Sequence, residues 1–146
     1  MTNALELLLR KAGRELADHQ VCRFFKVPEE MQQTPCDFFG YTKIGRAILI
    51  EAKWVHRTNL PINCSPGLLP HQWNELEAAN KAGALSLICW ARDTECAALS
   101  FDVAAKLAQG RRSIAWDSID KKFLRSLFGP SAHLELLDHW LPLNGS

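Results

Sequence analysis

Apolar residues recur three and four apart at Leu5, Leu8, Leu9, Ala12 and Leu16, the period of an amphipathic helix over residues 3–18. Asn3 suits the N-cap, and Glu6, Arg10, Lys11, Arg14 and Glu15 fall on the polar face. Val21 to Phe25 reads as a strand that Pro28 stops, and residues 28–35 (PEEMQQTP) form a polar connection bounded by two prolines. A hairpin turning around Ile44 follows. Its second arm, Arg46 to Val55, sets Ile48, Ile50, Ala52 and Trp54 on one face and Ala47, Leu49, Glu51 and Lys53 on the other. Apolar on both faces until its charged end, this arm has the pattern of a central strand covered on both sides.

Beyond the hairpin, residues 57–70 form a loop rich in proline, asparagine and serine. Pro70 suits the first turn of a helix over His71 to Lys81, with Trp73, Leu76, Glu77 and Asn80 along one side and Gly83 as its stop. Ala84 to Ala91 is a buried strand, and Ala97 to Leu99 pairs beside it after a turn through Arg92-Asp93-Thr94. Ser100 or Asp102 caps a helix ending near Gly110, with Val103, Ala104, Leu107 and Ala108 as its apolar face. Then come Arg111-Arg112-Ser113-Ile114, a short helix from Asp117 to Leu127, a Gly129-Pro130 break, and a last amphipathic helix with Leu134, Leu137 and Trp140. Trp54, Trp73, Trp90 and Trp116 lie in apolar patterns and belong to the core or a subunit interface. A mixed sheet with helices on its faces, an α/β fold, accounts for this order.

Composition narrows the function. The 146 residues make one domain, residues 1–146, with a helical part from about 101. With 47% hydrophobic and 23% charged residues, the chain has the composition of an ordinary soluble globular protein. A net charge of +1 means that any nucleic-acid-binding face has to be local. The five cysteines form no CxxC pair, which fits reduced thiols in a cytoplasmic protein, and the five histidines lack zinc-ligand spacing. No apolar run approaches the ~18 residues of a membrane span.

The chemistry sits at the charged end of the central arm. In a hairpin turning around Ile44, Asp37 lies across from Glu51, and Lys53 shares that face. Carboxylates this close raise each other's pKa unless a cation joins them. Their oxygen donors suit Mg²⁺, with Mn²⁺ as a substitute. The bland alternative is a surface salt bridge between Glu51 and Lys53. The chain carries its own control: Asp120-Lys121-Lys122 repeats the acid-x-lysine spacing without an apolar strand before it, as a solvated surface would.

Asp37 followed by Glu51-Ala52-Lys53 at the end of an apolar strand resembles the PD-(D/E)xK nuclease superfamily. Further along, His71-Gln72, the Lys81-Ala82-Gly83 step, Arg111-Arg112-Ser113-Ile114 and Phe25-Lys26-Val27-Pro28 are similar to the RecU-type Holliday junction resolvases. The resemblance implies a restriction-endonuclease-like core, a role in DNA recombination and repair, and Mg²⁺-dependent cleavage of four-way junctions by a homodimer. It implies Asp37, Glu51 and the Ala52 carbonyl as metal ligands, Lys53 as catalytic lysine, Glu6 (Glu15 second) as an added acid, and Gln72 as a residue that orients water or substrate. Arg10, Lys11, Arg14, Lys43, Arg46, Arg57, Arg111 and Arg112 are candidate phosphate contacts. Two departures stand out: only residues 28–36 fill the place of the RecU stalk, and Cys36 replaces the motif proline. The alternatives are another PD-(D/E)xK activity (flap, nicking or restriction-type) and a non-catalytic DNA-binding module.

Overall fold

The computed structural model describes residues 3–28 and 36–143. Helix α1 (Ala4–Asp18) begins where the Asn3 side chain accepts the Glu6 N–H. Strand β1 (Cys22–Lys26) leads to the hairpin β2 (Phe38–Thr42) and β3 (Ala47–Trp54). The short β4 (Asn59–Pro61) precedes α2 (Pro70–Lys81), β5 (Leu85–Arg92), β6 (Glu95–Ser100) and α3 (Phe101–Leu107). The chain then forms β7 (Ser113–Ala115), two 3-10 turns, β8 (Leu124–Ser126) and the single-turn α4 (Ala132–Glu135). The main sheet runs β1-β2-β3-β5-β6-β8, and a second ladder joins β4 to β7. Within the main sheet β3 and β5 are parallel, joined through α2, and the other pairs are antiparallel.

Alternation along the strands divides the core in two. Phe24, Phe38, Ile48, Ile50, Leu87 and Cys89 face Leu5, Leu9, Ala12 and Leu16 of α1, together with Leu136, Leu137 and Leu141. On the other face Leu49, Ile88, Trp90, Ala97 and Leu99 pack with Leu76 of α2, Phe101 and Ala104 of α3, and Ile114 of β7. The α/β class, the central mixed sheet and the two-sided β3 are therefore as the hydropathy pattern predicts. Trp90 is fully buried, donates its indole N–H to the Val55 carbonyl, and meets Trp116 edge-on at 4.9 Å.

The structure corrects the C-terminal expectations. Residues 117–127 form no α-helix: Asp120 caps a 3-10 turn, and Leu124–Ser126 pairs with β6. Propensity yields here to a free sheet edge that needs a partner. The part beyond 101 is consequently helical only in α3 and α4. The 57–70 loop also hides β4, which Pro61 ends and β7 satisfies. The 28–35 connection falls largely on 29–35, outside the described residues. Among the described residues no helix is long and apolar enough to cross a membrane, and all five cysteines are free thiols.

Two glycines let the first layer close. A Cβ on Gly13 would stand 2.8 Å from the Phe24 carbonyl oxygen, so α1 lies directly on β1. A Cβ on Gly40 would overlap the Arg23 carbonyl and the Phe24 backbone. Because backbone cannot yield as a flexible side chain can, Gly40→Ala is expected to cost about 3 kcal/mol, the upper part of the overpacking range. A fall of several degrees in thermal midpoint would show it, and an unchanged midpoint would contradict the close approach.

Candidate active site at the end of the hairpin

The β2–β3 ladder pairs Phe38 with Ile50, Phe39 with Leu49, Gly40 with Ile48 and Tyr41 with Ala47. Extended one step, this register would set Asp37 opposite Glu51. There the regular ladder stops. The Asp37 N–H donates to the Ile50 carbonyl at 3.0 Å, and the Asp37 Oδ2 accepts the Ala52 N–H at 2.8 Å. A side chain has taken the place of the next backbone acceptor. In a strand, the N–H and C=O of one residue point toward the same neighbour. The Ala52 carbonyl therefore points to the side where the Asp37 carboxylate lies.

Glu51 is only 2% exposed, which excludes a surface salt bridge. Its carboxyl is pushed up to about 8, first by burial and then by the neighbouring Asp37 charge, while Lys53 works in the opposite direction. The Lys53 ammonium stands 3.6 Å from the Glu51 carboxylate. Asp37, Glu51 and Lys53 thus gather at one end of the hairpin. Glu51 and Lys53 share the sheet face that carries Leu49 through period two along β3, and Asp37, beyond the last paired residue of β2, reaches Glu51 from the strand end.

Asp37 is also reached from the α1 side. Lys26, at the end of β1, lies 3.1 Å from Glu6 Oε1 and 3.5 Å from Asp37 Oδ1. Burial works against its charge, but Glu6 and Asp37 outweigh it and hold its pKa above the ordinary lysine value. Glu6 is buried against the sheet, not on the solvated face of α1 as the spacing predicts; Arg10 is 4.0 Å away. The helical pattern misassigns it because a glutamate is counted polar wherever it falls, although the strand behind it supplies a lysine. Lys26 is the residue that sequence reasoning left without a role. Its signal is a basic side chain at the buried-parity end of a strand.

The remaining candidates separate. Glu15 pairs with His133 at 3.3 Å, away from the hairpin end. Gln72 uses its side-chain oxygen to accept the Leu69 N–H at 2.9 Å, helping to cap α2. Among the described residues no hydrogen bond or ion pair links it to Asp37, Glu51 or Lys53. Arg10 and Arg14 line a groove with Lys26, and Lys11 is exposed on the same helix. Lys43 and Arg46 occupy the hairpin turn, where Arg46 donates to the Gly83 carbonyl at 2.9 Å. Arg57 and Arg111-Arg112 flank opposite ends of the β4–β7 ladder, and all three are exposed.

The donor set can be weighed against a divalent ion. Among the described residues no three His, Cys, Asp or Glu side chains are grouped to hold a metal. What the hairpin end offers is two carboxylates and a carbonyl. That set fits Mg²⁺ or Mn²⁺, which take oxygen ligands and keep several waters, and it lacks the nitrogen and sulfur ligands that zinc prefers. Cys36, adjacent to Asp37, is buried, and burial and the Glu51 charge push its thiol up to about 12.

No protein-family model matches the chain, and no curated protein matches its sequence. Among solved structures, the chain is similar to Archaeoglobus fulgidus Hjc, a Holliday junction resolvase from an archaeal hyperthermophile. The two are 18% identical, the match covers 80% of this chain and 87% of that one, and the TM-score is 0.48.

The raised Glu51 pKa makes a stability prediction. A carboxyl whose folded pKa lies above its unfolded value contributes fully below about 4.5, and the contribution is lost as pH rises through about 8. In EDTA, wild-type protein should therefore lose thermal stability relative to Glu51→Gln between pH 5 and pH 8.5. Melting curves that run parallel across that interval would contradict the buried, charge-repelled carboxyl.

Proposed function

We propose that the protein is a Mg²⁺-dependent DNA endonuclease of the PD-(D/E)xK superfamily, with a restriction-endonuclease-like core, that resolves four-way junctions as a homodimer. The observation that carries the chemistry is the meeting of Asp37, Glu51 and Lys53 where the β2–β3 ladder ends. A buried carboxylate repelled by another carboxylate is costly in a protein that does not use it. A divalent cation offsets that repulsion. The ordered resemblance of Lys26-Val27-Pro28, His71-Gln72 and Arg111-Arg112-Ser113-Ile114 to RecU-type resolvases supports the junction substrate.

In this reading Asp37, Glu51 and the Ala52 carbonyl hold the ion, and Mn²⁺ can replace Mg²⁺. When bound, the ion supplies an activated water and neutralises charge developing on the scissile phosphate. The protein's own groups do the positioning. Oδ2 of Asp37 is fixed by the Ala52 N–H, so its carboxylate plane cannot swing. Lys53 is a compact point charge beside Glu51, placed to donate to the attacking water or to a phosphate oxygen. Lys26 ties Glu6 to Asp37, which assigns Glu6 to organising the site through that lysine. For Gln72 the orienting role falls to its amide nitrogen, because its oxygen is bound to the Leu69 N–H. Arg10, Lys11, Arg14, Lys43, Arg46, Arg57, Arg111 and Arg112 are the phosphate contacts, with Lys43 and Arg46 at the hairpin turn, the opposite end of β2 and β3 from the site.

Digestion of four-way junction, flap, duplex and single-stranded DNA with Mg²⁺ tests the proposal. Asp37→Asn keeps a side-chain acceptor for the Ala52 N–H, so it should fold normally and lose at least about 10²-fold in cleavage rate, as should Lys53→Ala. Full metal-dependent cleavage by either variant would refute the site. Symmetric incision of two strands calls for two sites related by a two-fold axis. Sedimentation should accordingly show a dimer on the junction, and a monomer there would remove the subunit claim.

A further inference from the structure

Among the described residues the sheet leaves one aromatic surface bare. Period two along β1 and β2 places Arg23, Phe25, Phe39 and Tyr41 on one face, with Arg23 opposite Tyr41 and Phe25 opposite Phe39. The inner face of the same strands, Cys22, Phe24 and Phe38, is buried under α1. Among the described residues the outer face has no such cover. Phe25 is 59% exposed, Phe39 40% and Tyr41 48%, and Arg23 is exposed among them.

Two further observations indicate what this face receives. The first is position: Asp37 immediately precedes β2, whose Phe39 and Tyr41 lie on one face. The aromatic row therefore starts at the candidate active site and leads away from it, about 7 Å per step. The second is charge. A groove of about 410 Å³ along β1 is lined by Arg10, Arg14, Arg23 and Lys26 with Phe25 and Tyr41, and among the described residues no acidic side chain lines it. The adjoining hollow adds Lys43, again with no acid. A second copy of the chain would set this all-basic surface against itself. A polyanion with flat apolar faces would satisfy both the charge and the rings.

We infer that the outer face of β1 and β2 binds an unpaired segment of DNA next to the cleavage site, with bases stacked on Phe25, Phe39 and Tyr41 and phosphates held by Arg23, Arg14 and Lys43. Aromatic rings accept any base by stacking, and arginines track the backbone, which is how single strands are bound without sequence preference. The inference deepens the nuclease reading and rests on it for the class of partner. It names the feature of a branched substrate that the protein grips: strand exchange points and their openings expose unstacked bases that continuous duplex does not.

The test is binding in EDTA, so that its outcome is independent of cleavage. Fluorescence anisotropy would compare fluorescein-labelled single-stranded, duplex and junction DNA with wild-type protein and with Phe25→Ala/Tyr41→Ala. The double variant should lose roughly thirtyfold or more in affinity for single strands, two stacking contacts' worth, and less than about threefold for duplex. Phe25→Tyr, which keeps a ring, should bind as wild type. Because both side chains are exposed, unchanged thermal midpoints are expected. Photocrosslinking of a 5-iodouracil single strand to the wild-type protein, which does not rely on any variant's folding, should map to Tyr41, Phe25 or Phe39.

Three results would overturn the inference. One is equal loss on single-stranded and duplex DNA, or no loss on either. Another is crosslinks confined to other surfaces. The third is a variant that falls from dimer to monomer while its single-strand affinity is unchanged, which would make this face a subunit interface. Mg²⁺-dependent cutting of duplex or junction by the double variant would leave the Asp37–Glu51–Lys53 reading intact in every one of these cases.

Discussion

The hydrogen bond from the Ala52 N–H to the Asp37 carboxylate is the contact around which the hairpin end is built. It ends a ladder by exchanging a backbone acceptor for a charged side chain. It thereby fixes the acid against the strand that carries Glu51 and Lys53. A carboxylate that accepts a backbone N–H is held in a charge-assisted hydrogen bond, stronger than the neutral backbone–backbone hydrogen bond it replaces. The site consequently has the stiffness of the sheet and not that of a loop. The parallel β3–β5 pair extends that stiffness, since Glu51 registers with Ile88 and Lys53 with Trp90, both fully buried.

A second constraint comes from the two-layer core. Asp37 stands at the sheet end, where side chains from both faces can reach it. Glu51 and Lys53 approach on the Leu49 face, Lys26 and Glu6 on the Phe38 face. The Lys26 ammonium lies 5.6 Å from the centre of the Phe38 ring, so the apolar layer itself supports the cation's position. Packing of α1, permitted by the bare backbone at Gly13, is thus part of what sets the electrostatics of the acid cluster.

How much of this was legible from the residues alone depended on what kind of force decided each element. The first helix, the hairpin register and the buried β5 follow from periodicity, because burial of one face or of both is written directly in the order of apolar residues. The approach of Asp37 to Glu51 follows from that hairpin. Glu6 and Lys26 do not, because their pairing joins a helix to a strand and no local spacing encodes it. The 117–127 segment departs from its helical pattern for a similar reason: Leu124 pairs across the sheet with Ala97, and that long-range partner outweighs a modest helical pattern. Gln72 shows a third case, in which a polar residue at a helix start satisfies the helix before it can serve anything else.

The free edge of β1 carries another consequence. Among the described residues β1 pairs only with β2, so the other side of the strand presents backbone groups that could template a foreign strand. A chain with a net charge of +1 has little overall repulsion with which to prevent such association. The arginines and the lysine clustered along that edge supply the repulsion locally. The basic groove is therefore also a guard against edge-to-edge aggregation, concentrated where the sheet is open.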